Sequence, residues 1–459
     1  VFSPSISVAV EDYTVGRLSY ISVRVTQGGF PVSNKKIKFQ KLTDSYWEDL
    51  KDDISNQSVI NTNSEGEASL RVVFKNPGTY IIRAILLPEN ISKVFSIYVK
   101  PVKWIFLLWF AADNNLYQYA LGDLEEIKGI TGDFSLRIIL DTPTCTQLGS
   151  NTTQLGYLDN QGNIVLTNID EINSGDGDTL KSELMKILSV PSDYYGLIIW
   201  NHGIAWIDDS LYEKIVSIDN SPRDALTTKE MKEAIEGALE ESNLEKLNIL
   251  GLDACLMGSL EVLYELKDTA DYIIASASTE PVEGWNYRFL GDLSSDVLDV
   301  CRKIVDYYFD DLPNEEEITL AVFDTSAFNR FIEKFNAFSL RILDLFEEDL
   351  DFKQRFESYQ KNLKIYPISL GGTERVLVDF GEFLEILKNE EELRDYISQI
   401  PIEELIFYSK VSEDLENLSG MSIFFPSREY YDDYINDYYS LSFIDATYWD
   451  DVLASLYGE

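Results

Sequence analysis

Residues 196–203 have the sequence Gly-Leu-Ile-Ile-Trp-Asn-His-Gly, an apolar run that ends in polar residues and carries the only histidine of the chain, His202. A second apolar run, residues 247–252, is followed by Asp-Ala-Cys-Leu-Met-Gly-Ser, which places Cys255 just beyond it. Continuous apolar runs of this length are typical of strands inside a parallel sheet. Parallel neighbours end at the same edge, and in open α/β sheets sites form at that carboxyl edge. We therefore predict an α/β sheet with Cys255 and His202 at one edge.

The rest of the chain divides into two zones near residues 100–103. In residues 1–100, short alternating apolar stretches are separated by turn residues, which predicts a small all-β sandwich of immunoglobulin-like size. In residues 101–459, apolar strands alternate with long amphipathic helices, which predicts a mostly parallel sheet covered on both faces, with a more helical part from about Ser326. We predict strands at residues 104–111, 136–140, 197–200, 247–252, 272–276 and 319–323, a hairpin at 154–158 and 164–166, a late strand at 421–425, and helices at 116–130, 178–188, 228–240, 258–266 and 290–309.

The charge balance excludes several classes of partner. Lys and Arg number 38 against 79 Asp and Glu, and the net charge of −41 repels nucleic acid and anionic lipid and favours cationic partners. A solubilising acidic surface explains the same balance without a partner. No apolar run reaches the roughly 18–20 residues of a membrane span. The chain begins with Val1 rather than Met, which fits removal of a leader and an extracellular or cell-envelope location.

The cysteines point to chemistry rather than to a disulfide scaffold, because there are only three of them. We expect Cys145 and Cys301 to be structural thiols. A nucleophilic Cys255 needs a lowered pKa or a nearby base, and His202 is the only imidazole available. A Gly-x-Ser-x-Gly elbow and a cluster of zinc ligands are both missing from the sequence, which disfavours serine and zinc hydrolases. The alternative is that His202 is a hydrogen-bonded loop residue and Cys255 an inert core thiol.

Several motifs resemble those of one family. Asn201-His202-Gly203, residues 252–259 (Leu-Asp-Ala-Cys-Leu-Met-Gly-Ser) and Gly284-Trp285-Asn286-Tyr287 are similar to the motifs of clostripain-type cysteine peptidases, which belong to the caspase-hemoglobinase fold group. Further similar motifs lie between residues 112 and 450, so that the resemblance covers residues 103–457 and leaves out the first zone. The resemblance implies a caspase-like αβα sandwich in which Cys255 is the nucleophile and His202 is the base and proton donor.

Two features are expected to support this chemistry. The backbone amides of Gly203 and Cys255 are the natural positions for an oxyanion hole, and glycine allows the substrate backbone to come close. The helix predicted at residues 258–266 is expected to favour a Cys255 thiolate through its N-terminal dipole.

The resemblance also implies a substrate preference. Asp253 lies two residues before Cys255 and would form a wall of the pocket for a basic side chain, although it could instead cap the following helix. Glu283 takes the position of a second acid that is aspartate in the family, and Trp285 is either pocket wall or core. The predicted substrates are therefore peptides or proteins with Arg or Lys before the cleaved bond.

Two further expectations concern processing and ions. Peptidases of this type are often cut in the loop after the histidine, where Lys214 and Arg223 are the basic candidates for self-cleavage. We predict no required cofactor and no catalytic metal. Calcium is a candidate ion because an acidic turn carries oxygen ligands, but the turn lacks EF-hand spacing and is better explained as a solvated acidic loop. The acidic residues of that turn are Asp170, Glu171, Asp176 and Asp178.

Three functions are open on the sequence alone. The first is an endopeptidase that acts through Cys255 and His202. The second is a non-catalytic binding or adhesion protein on a peptidase scaffold. The third is a transpeptidase or ligase, because an amine can intercept the same thioester instead of water.

Overall fold

The structure is a computed structural model, and it describes residues 3–9, 11–143, 153–206, 218–219, 224–310, 317–366 and 375–458, with the backbone alone for residues 218, 219 and 350. The first part of the chain contains only strands among its described elements: β1 (Pro4–Val8), β2 (Tyr13–Thr14), β3 (Leu18–Gln27), β4 (Phe30–Pro31), β5 (Lys36–Thr43), β6 (Tyr46–Asp49), β7 (Val59–Asn61), β8 (Glu67–Val73), β9 (Gly78–Leu87) and β10 (Ile91–Lys100).

These strands form two sheets. One has the order β1-β3-β4, with β8 paired to β3, and the other has the order β2-β10-β9-β5-β6, with β7 paired to β5. Alternate residues of β3 and β9 are buried in one continuous apolar core, for example Ile21, Val23, Ile82 and Ala84. The period of two in the sequence thus corresponds to one inward and one outward face on each strand. The immunoglobulin-like classification of this part stays a prediction.

The second part of the chain alternates strands with helices. Its strands are β11 (Val102–Ala111), β12 (Phe134–Asp141), β13 (Thr153–Leu158), β14 (Ile164–Asn168), β15 (Ser192–Trp200), β16 (Ile218–Asp219), β17 (Asp224–Ala225), β18 (Leu247–Asp253), β19 (Ala270–Ala275), β20 (Thr319–Asp324), β21 (Ile365–Tyr366), β22 (Leu377–Asp379), β23 (Ile406–Val411) and β24 (Ser422–Phe424). Its α-helices are α1 (Tyr117–Ile127), α2 (Gly177–Leu188), α3 (Thr228–Ser242), α4 (Leu260–Leu266), α5 (Val297–Asp310), α6 (Phe328–Glu348), α7 (Leu350–Gln360), α8 (Phe380–Leu387), α9 (Arg394–Ile397), α10 (Ile402–Leu405), α11 (Arg428–Tyr438), α12 (Phe443–Ala446) and α13 (Trp449–Tyr457).

Nine of these strands form one mixed sheet in the order β14-β13-β12-β11-β15-β18-β19-β20-β23. The five central strands, from β12 to β19, run parallel, whereas both margins are antiparallel. The sequence prediction of a mostly parallel sheet therefore holds for the centre only. At one margin a hairpin joins β13 to β14, whereas at the other margin helical segments, including α5 before β20 and α6 before β23, separate the antiparallel strands along the chain.

Helices cover both faces of this sheet. On β11, Ile105, Leu107 and Trp109 belong to one buried cluster, together with residues of α2 and α3. The alternate residues Phe106 and Leu108 belong to a second cluster, together with residues of α1 and α5. Both faces of the central strands are thus buried, which explains why their sequences are continuously apolar.

The first part of the chain contacts the amino edge of this sheet. The Arg17 guanidinium donates to the carbonyls of Gly132 and Phe134, where β12 begins, and Ser135 Oγ donates to the Val15 carbonyl. Cys255 and His202 follow strands that end at the opposite edge. The described contacts therefore hold the β-sandwich at the end of the sheet that is remote from the predicted site. In the described residues, no helix is both long and apolar enough to span a membrane.

Candidate active site

The parallel strands β15 and β18 bring the two predicted catalytic loops together. Trp200 and Asp253, the last residues of these strands, lie opposite each other in register, and the Asn201 amide donates to the Asp253 carbonyl at 3.2 Å. A Cβ atom added to Gly203 would lie 2.4 Å from the Cys255 carbonyl oxygen and 3.0 Å from Ala254 Cβ. Glycine is therefore required at position 203, because the histidine loop packs directly against the backbone of the cysteine loop.

Asn115 orients the imidazole of His202. Its Oδ1 is 2.9 Å from His202 Nε2. An amide oxygen only accepts hydrogen bonds, so Nε2 carries the ring hydrogen and Nδ1 remains as the basic nitrogen. Burial lowers the pKa of His202 below its ordinary value of 6.5, which keeps the ring neutral at pH 7. The neighbouring Asn114 donates to Asn201 Oδ1 at 2.9 Å, so the segment after β11 holds both the ring and its loop.

The Cys255 thiol lies in a buried environment that favours its protonated form. Sγ accepts a hydrogen bond from the Glu280 amide at 3.1 Å. Burial and the negative charge of Glu280 raise the pKa of Cys255 to about 12. Helix α4 begins at Leu260 with Ser259 as its cap, two residues later than predicted, and the effect of its dipole on the thiol stays a prediction. Within the described chain no hydrogen bond joins this thiol to the His202 ring.

The amides predicted for an oxyanion hole lie side by side. Gly203 and Cys255 are in backbone contact, and neither amide donates to a backbone carbonyl within the described chain. Leu256, which follows the cysteine, has a φ of 63° and donates its amide to the Ser278 carbonyl at 3.0 Å. This left-handed residue turns the chain sharply after Cys255, so that the thiol lies at the strand end.

A pocket of carboxylic acids lies beside the thiol. Asp253 is buried, and its Oδ2 accepts from the Trp285 amide at 3.2 Å and from the Tyr287 hydroxyl at 2.9 Å. Trp285 also donates from Nε1 to Glu280 at 3.3 Å, so the carboxyl groups of Asp253 and Glu280 have this residue as a common partner. Burial raises the pKa of Asp253 to about 7 and that of Glu280 well above its ordinary range. Asp253 does not cap α4, since Ser259 does.

Helix α1 adds two more acids to this pocket. Asp123 is buried and hydrogen-bonds to Trp200, and burial together with the charge of Asp253 raises its pKa to about 10. Glu126 accepts from the Tyr287 amide at 2.9 Å. The sequence analysis missed both residues. Their signal was a pair of acids three residues apart on a helix whose buried residues include Leu124 and Ile127.

The other predicted site residues have varied positions. Glu283 is exposed, and it lines a cavity together with Glu280, three residues earlier. Trp285 is buried, and its ring packs so closely on Gly251 that an added Cβ would lie 2.8 Å from it. Cys301 is a buried free thiol in α5.

Three of the predicted residues lie where the structure is not described, and a further prediction concerns a calcium ion. Lys214, Arg223 and Cys145 lie outside the described residues. In the acidic turn proposed for calcium, Asp176 accepts from the Thr179 amide at 2.8 Å and caps α2. Within the described ranges, no group of three or more His, Cys, Asp or Glu side chains could hold a metal ion.

Comparison with known proteins gives the family. A sequence model of the clostripain family of C11 peptidases matches residues 108–455. This chain belongs to the clostripain family. Clostripain of Hathewaya histolytica is 27% identical to it over 234 residues, and the match covers 42% of each chain, so that it spans less than half of that relative. The family membership confirms the family resemblance found in the sequence.

Solved structures of C11 proteases have the same fold. An inactive zymogen C11 protease from Parabacteroides distasonis is 22% identical with a TM-score of 0.58, and the alignment covers 75% of this chain and 98% of that one. A secreted C11 cysteine protease from Bacteroides thetaiotaomicron, in complex with an irreversible peptide inhibitor, is 19% identical with a TM-score of 0.52, and the alignment covers 74% of this chain and 99% of that one. At these identities the similarity supports the fold alone.

The buried acids predict an unusual dependence of stability on pH. Asp253 has a folded pKa of about 7 against an ordinary 3.8. Between these values the unfolded chain loses a proton that the folded chain retains, so the free energy of unfolding falls as the pH rises and levels off above about 7. Asp253→Asn keeps an acceptor for Trp285 and Tyr287 but removes the charge. We expect it to raise the melting temperature at pH 8 by several degrees and to leave it nearly unchanged at pH 4.

Differential scanning calorimetry at both pH values measures this effect. The matched control is Glu347→Gln, which neutralises an exposed acid on α6. A melting temperature that Asp253→Asn lowers equally at pH 4 and pH 8 would contradict the burial of an unfavourable charge.

Proposed function

We propose that this protein is a cysteine endopeptidase that cleaves after Arg or Lys, with Cys255 as the nucleophile and His202 as the general base. The observation that carries the proposal is the double role of Glu280. Its amide donates to Cys255 Sγ, and its carboxyl accepts from Trp285 Nε1, while the Trp285 amide donates to Asp253, so Glu280 and Trp285 connect the thiol to the acidic pocket. A bond attacked by this thiol therefore lies within one side-chain length of a pocket that attracts a cation.

The reaction begins with proton transfer from the Cys255 thiol to His202 Nδ1. The thiolate sulfur attacks the carbonyl carbon of the scissile bond, and the amides of Gly203 and Cys255 donate to the developing oxyanion. His202 returns the proton to the leaving amine, and a thioester remains. His202 then takes a proton from water, which attacks the thioester and releases the carboxylic acid and the free thiol.

Substrate binding prepares the thiol for this step. The resting thiol is protonated because of burial and because of acids beside it. A cationic side chain in the pocket offsets the charge of these acids and makes loss of the thiol proton easier. The net charge of −41 also raises the encounter rate with basic peptides.

The finer specificity and the location are part of the same proposal. Asp253 is the primary acid, and Arg and Lys are both candidates for the residue before the cleaved bond. An extracellular or cell-envelope location is supported by the description of the Bacteroides thetaiotaomicron relative as secreted.

Fluorogenic peptides with Arg, Lys, Asp or Leu before the cleaved bond test the reaction. We expect cleavage after Arg and Lys, loss of all cleavage in Cys255→Ala, and a fall in kcat of roughly 10²–10⁴-fold in His202→Ala. Cys301→Ala is the matched control, because it removes a buried thiol remote from the site. Cleavage after Leu alone would reject the acidic pocket, and activity that survives in Cys255→Ala would reject the nucleophile. Products joined to an added amine in preference to water would identify a transpeptidase.

Self-processing at Lys214 or Arg223 extends the proposal, since both are basic residues in the loop that follows the histidine. We expect intact-mass spectrometry to find two large fragments in the wild type, with residues 215–223 as a third if both bonds are cut, and one uncut chain in Cys255→Ala. Lys214→Gln and Arg223→Gln, made singly, should each remove one cleavage product if both sites are used. Equal, uncut masses for wild type and Cys255→Ala would refute self-processing.

Asn115 is proposed as a positioning residue for the His202 ring. Asn115→Ala removes the acceptor of the Nε2 hydrogen, and a ring misplaced by about 1 Å lowers the rate by roughly 10²-fold. We therefore expect kcat to fall with little change in KM. Asn115→Asp keeps the acceptor and adds a negative charge, so it should restore activity and move the acid limb of the pH profile to higher pH.

Gln118→Ala, on the exposed side of the same segment, is the control for that experiment. A change in KM alone, or a pH profile that Asn115→Asp does not move, would assign Asn115 to substrate binding instead.

A further inference from the structure

We propose that a cavity between the β-sandwich and the central sheet binds a small carboxylate with an apolar body, such as a medium-chain fatty acid. The cavity has a volume of about 270 Å³. It lies at the amino edge of the sheet, near the starts of β11 and β12, whereas Cys255 and His202 follow strands that end at the opposite edge. The inference is therefore independent of the proposed peptidase reaction.

Both parts of the chain build this junction cavity. The β-sandwich contributes Gly16, between β2 and β3, and Val73, at the end of β8, while the second part contributes residues of β11, β12, β13 and the end of α2. The two parts are in direct contact beside the cavity, because a Cβ atom added to Gly16 would lie 2.9 Å from Ser135 Cβ. A ligand in the junction cavity therefore contacts both parts of the chain at once and stabilises their contact.

The first argument is the apolar wall. Ile105, Leu136, Ile187 and Val190 line the junction cavity and are almost fully buried, and Val73 lines it from the β-sandwich. An aliphatic group placed among these side chains leaves water, which is favourable. Pockets for drug-sized ligands have volumes of roughly 300–1,000 Å³, so this cavity suits a smaller molecule.

The second argument is the charge of the lining. Lys75, Arg137 and Lys186 line the junction cavity. Glu183 pairs with Arg137 and Lys186, and Asp53 lies within electrostatic reach of Lys75. These cations outnumber these carboxylates, although the net charge of the chain is −41. The acidic composition does not explain a local positive excess, and an anionic ligand complements it.

The third argument is the set of N–H groups that Arg137 has left. A guanidinium has five N–H groups. In Arg137, Nε and Nη2 lie 2.6 and 2.5 Å from Glu183 Oε2, and Nη1 donates to the Tyr157 hydroxyl. One N–H of each Nη therefore has no acceptor within the described residues, although the side chain is buried. Buried N–H groups without an acceptor are unfavourable, and a carboxylate accepts two of them at once.

Together these features select one ligand chemistry. An inorganic anion such as phosphate would accept from Arg137 but would leave the apolar wall in contact with water. A neutral lipid would cover the wall but would leave the N–H groups of Arg137 without an acceptor. A carboxylate on an aliphatic body does both, and such a group comes from a fatty acid or from the C-terminal residue of an apolar peptide.

Isothermal titration calorimetry of octanoate into the full chain tests the site. The chain carries Cys255→Ala, so that neither self-cleavage nor the thiol contributes to the signal. We expect one octanoate per chain and a melting temperature that rises with octanoate concentration. The controls 1-octanol and octylamine have the same tail with no charge and with a positive charge, and we expect both to bind more weakly by about tenfold or more.

A titration with N-acetyl-leucine distinguishes the two sources of the carboxylate. Tighter binding of octanoate identifies a fatty acid as the ligand, and tighter binding of N-acetyl-leucine identifies a peptide C-terminus. Either result supports the site.

Two variants then locate the ligand. Arg137→Lys keeps a cation beside Glu183 but removes the forked N–H groups, so we expect octanoate binding to weaken by about tenfold. Its matched control is Arg24→Lys, which changes an exposed arginine of β3. Val73→Phe fills part of the cavity and should weaken binding by about threefold or more, whereas Val94→Phe, at an exposed position of β10, should not change it. Thermal unfolding without ligand shows that all four variants are folded.

Absence of octanoate binding in the millimolar range, or equal binding of octanoate, 1-octanol and octylamine, would overturn the inference. Binding that both Arg137→Lys and Val73→Phe leave unchanged would also overturn it, because the ligand would then lie elsewhere on the chain.

Discussion

The parallel pairing of β15 with β18 is the constraint on which the site depends. These strands end level, with Trp200 opposite Asp253, and their loops are so close that only glycine fits at position 203. A shift of one residue in this register would turn His202 and Cys255 to opposite faces of the sheet. The continuous burial of both strands, on both faces, specifies the register, so the geometry of the site is a consequence of core packing.

The acids of the pocket beside this strand pair lower the stability of the fold when they are ionised. Asp123, Asp253 and Glu280 are acids in a region where burial raises the pKa of each. Such groups destabilise a folded chain when they ionise, and they persist where function requires them. Their partners are the indole and phenol groups of Trp200, Trp285 and Tyr287, which donate hydrogen bonds without adding positive charge. The proposed specificity is consistent with this arrangement, because neutral donors leave the charge of these acids to be balanced by a cation of the substrate.

Most of the central sheet was predictable from the sequence, because its strands are continuous apolar runs that few other structures accommodate. The strand β23 was missed because its six residues are all half-buried and mix polar with apolar types. Residues His202 and Cys255 stood out as the single histidine and as a cysteine at a strand end. Asn115 and Glu280 did not stand out, because their roles come from contacts with residues far along the chain. Asn115 lies 87 positions before His202, and Glu280 lies 25 positions after Cys255. The sequence selected Glu283 by its place in a motif, and its role in the pocket stays a prediction.

The most direct test of the account is active-site labelling with a peptidyl acyloxymethyl ketone that carries Arg next to the reactive group, followed by peptide mapping. The account predicts one adduct per chain, on Cys255, which a Leu reagent of the same length does not form and which His202→Ala forms far more slowly. Labelling of another residue, or equal labelling by the Arg and Leu reagents, would contradict a nucleophile at Cys255 beside an acidic pocket.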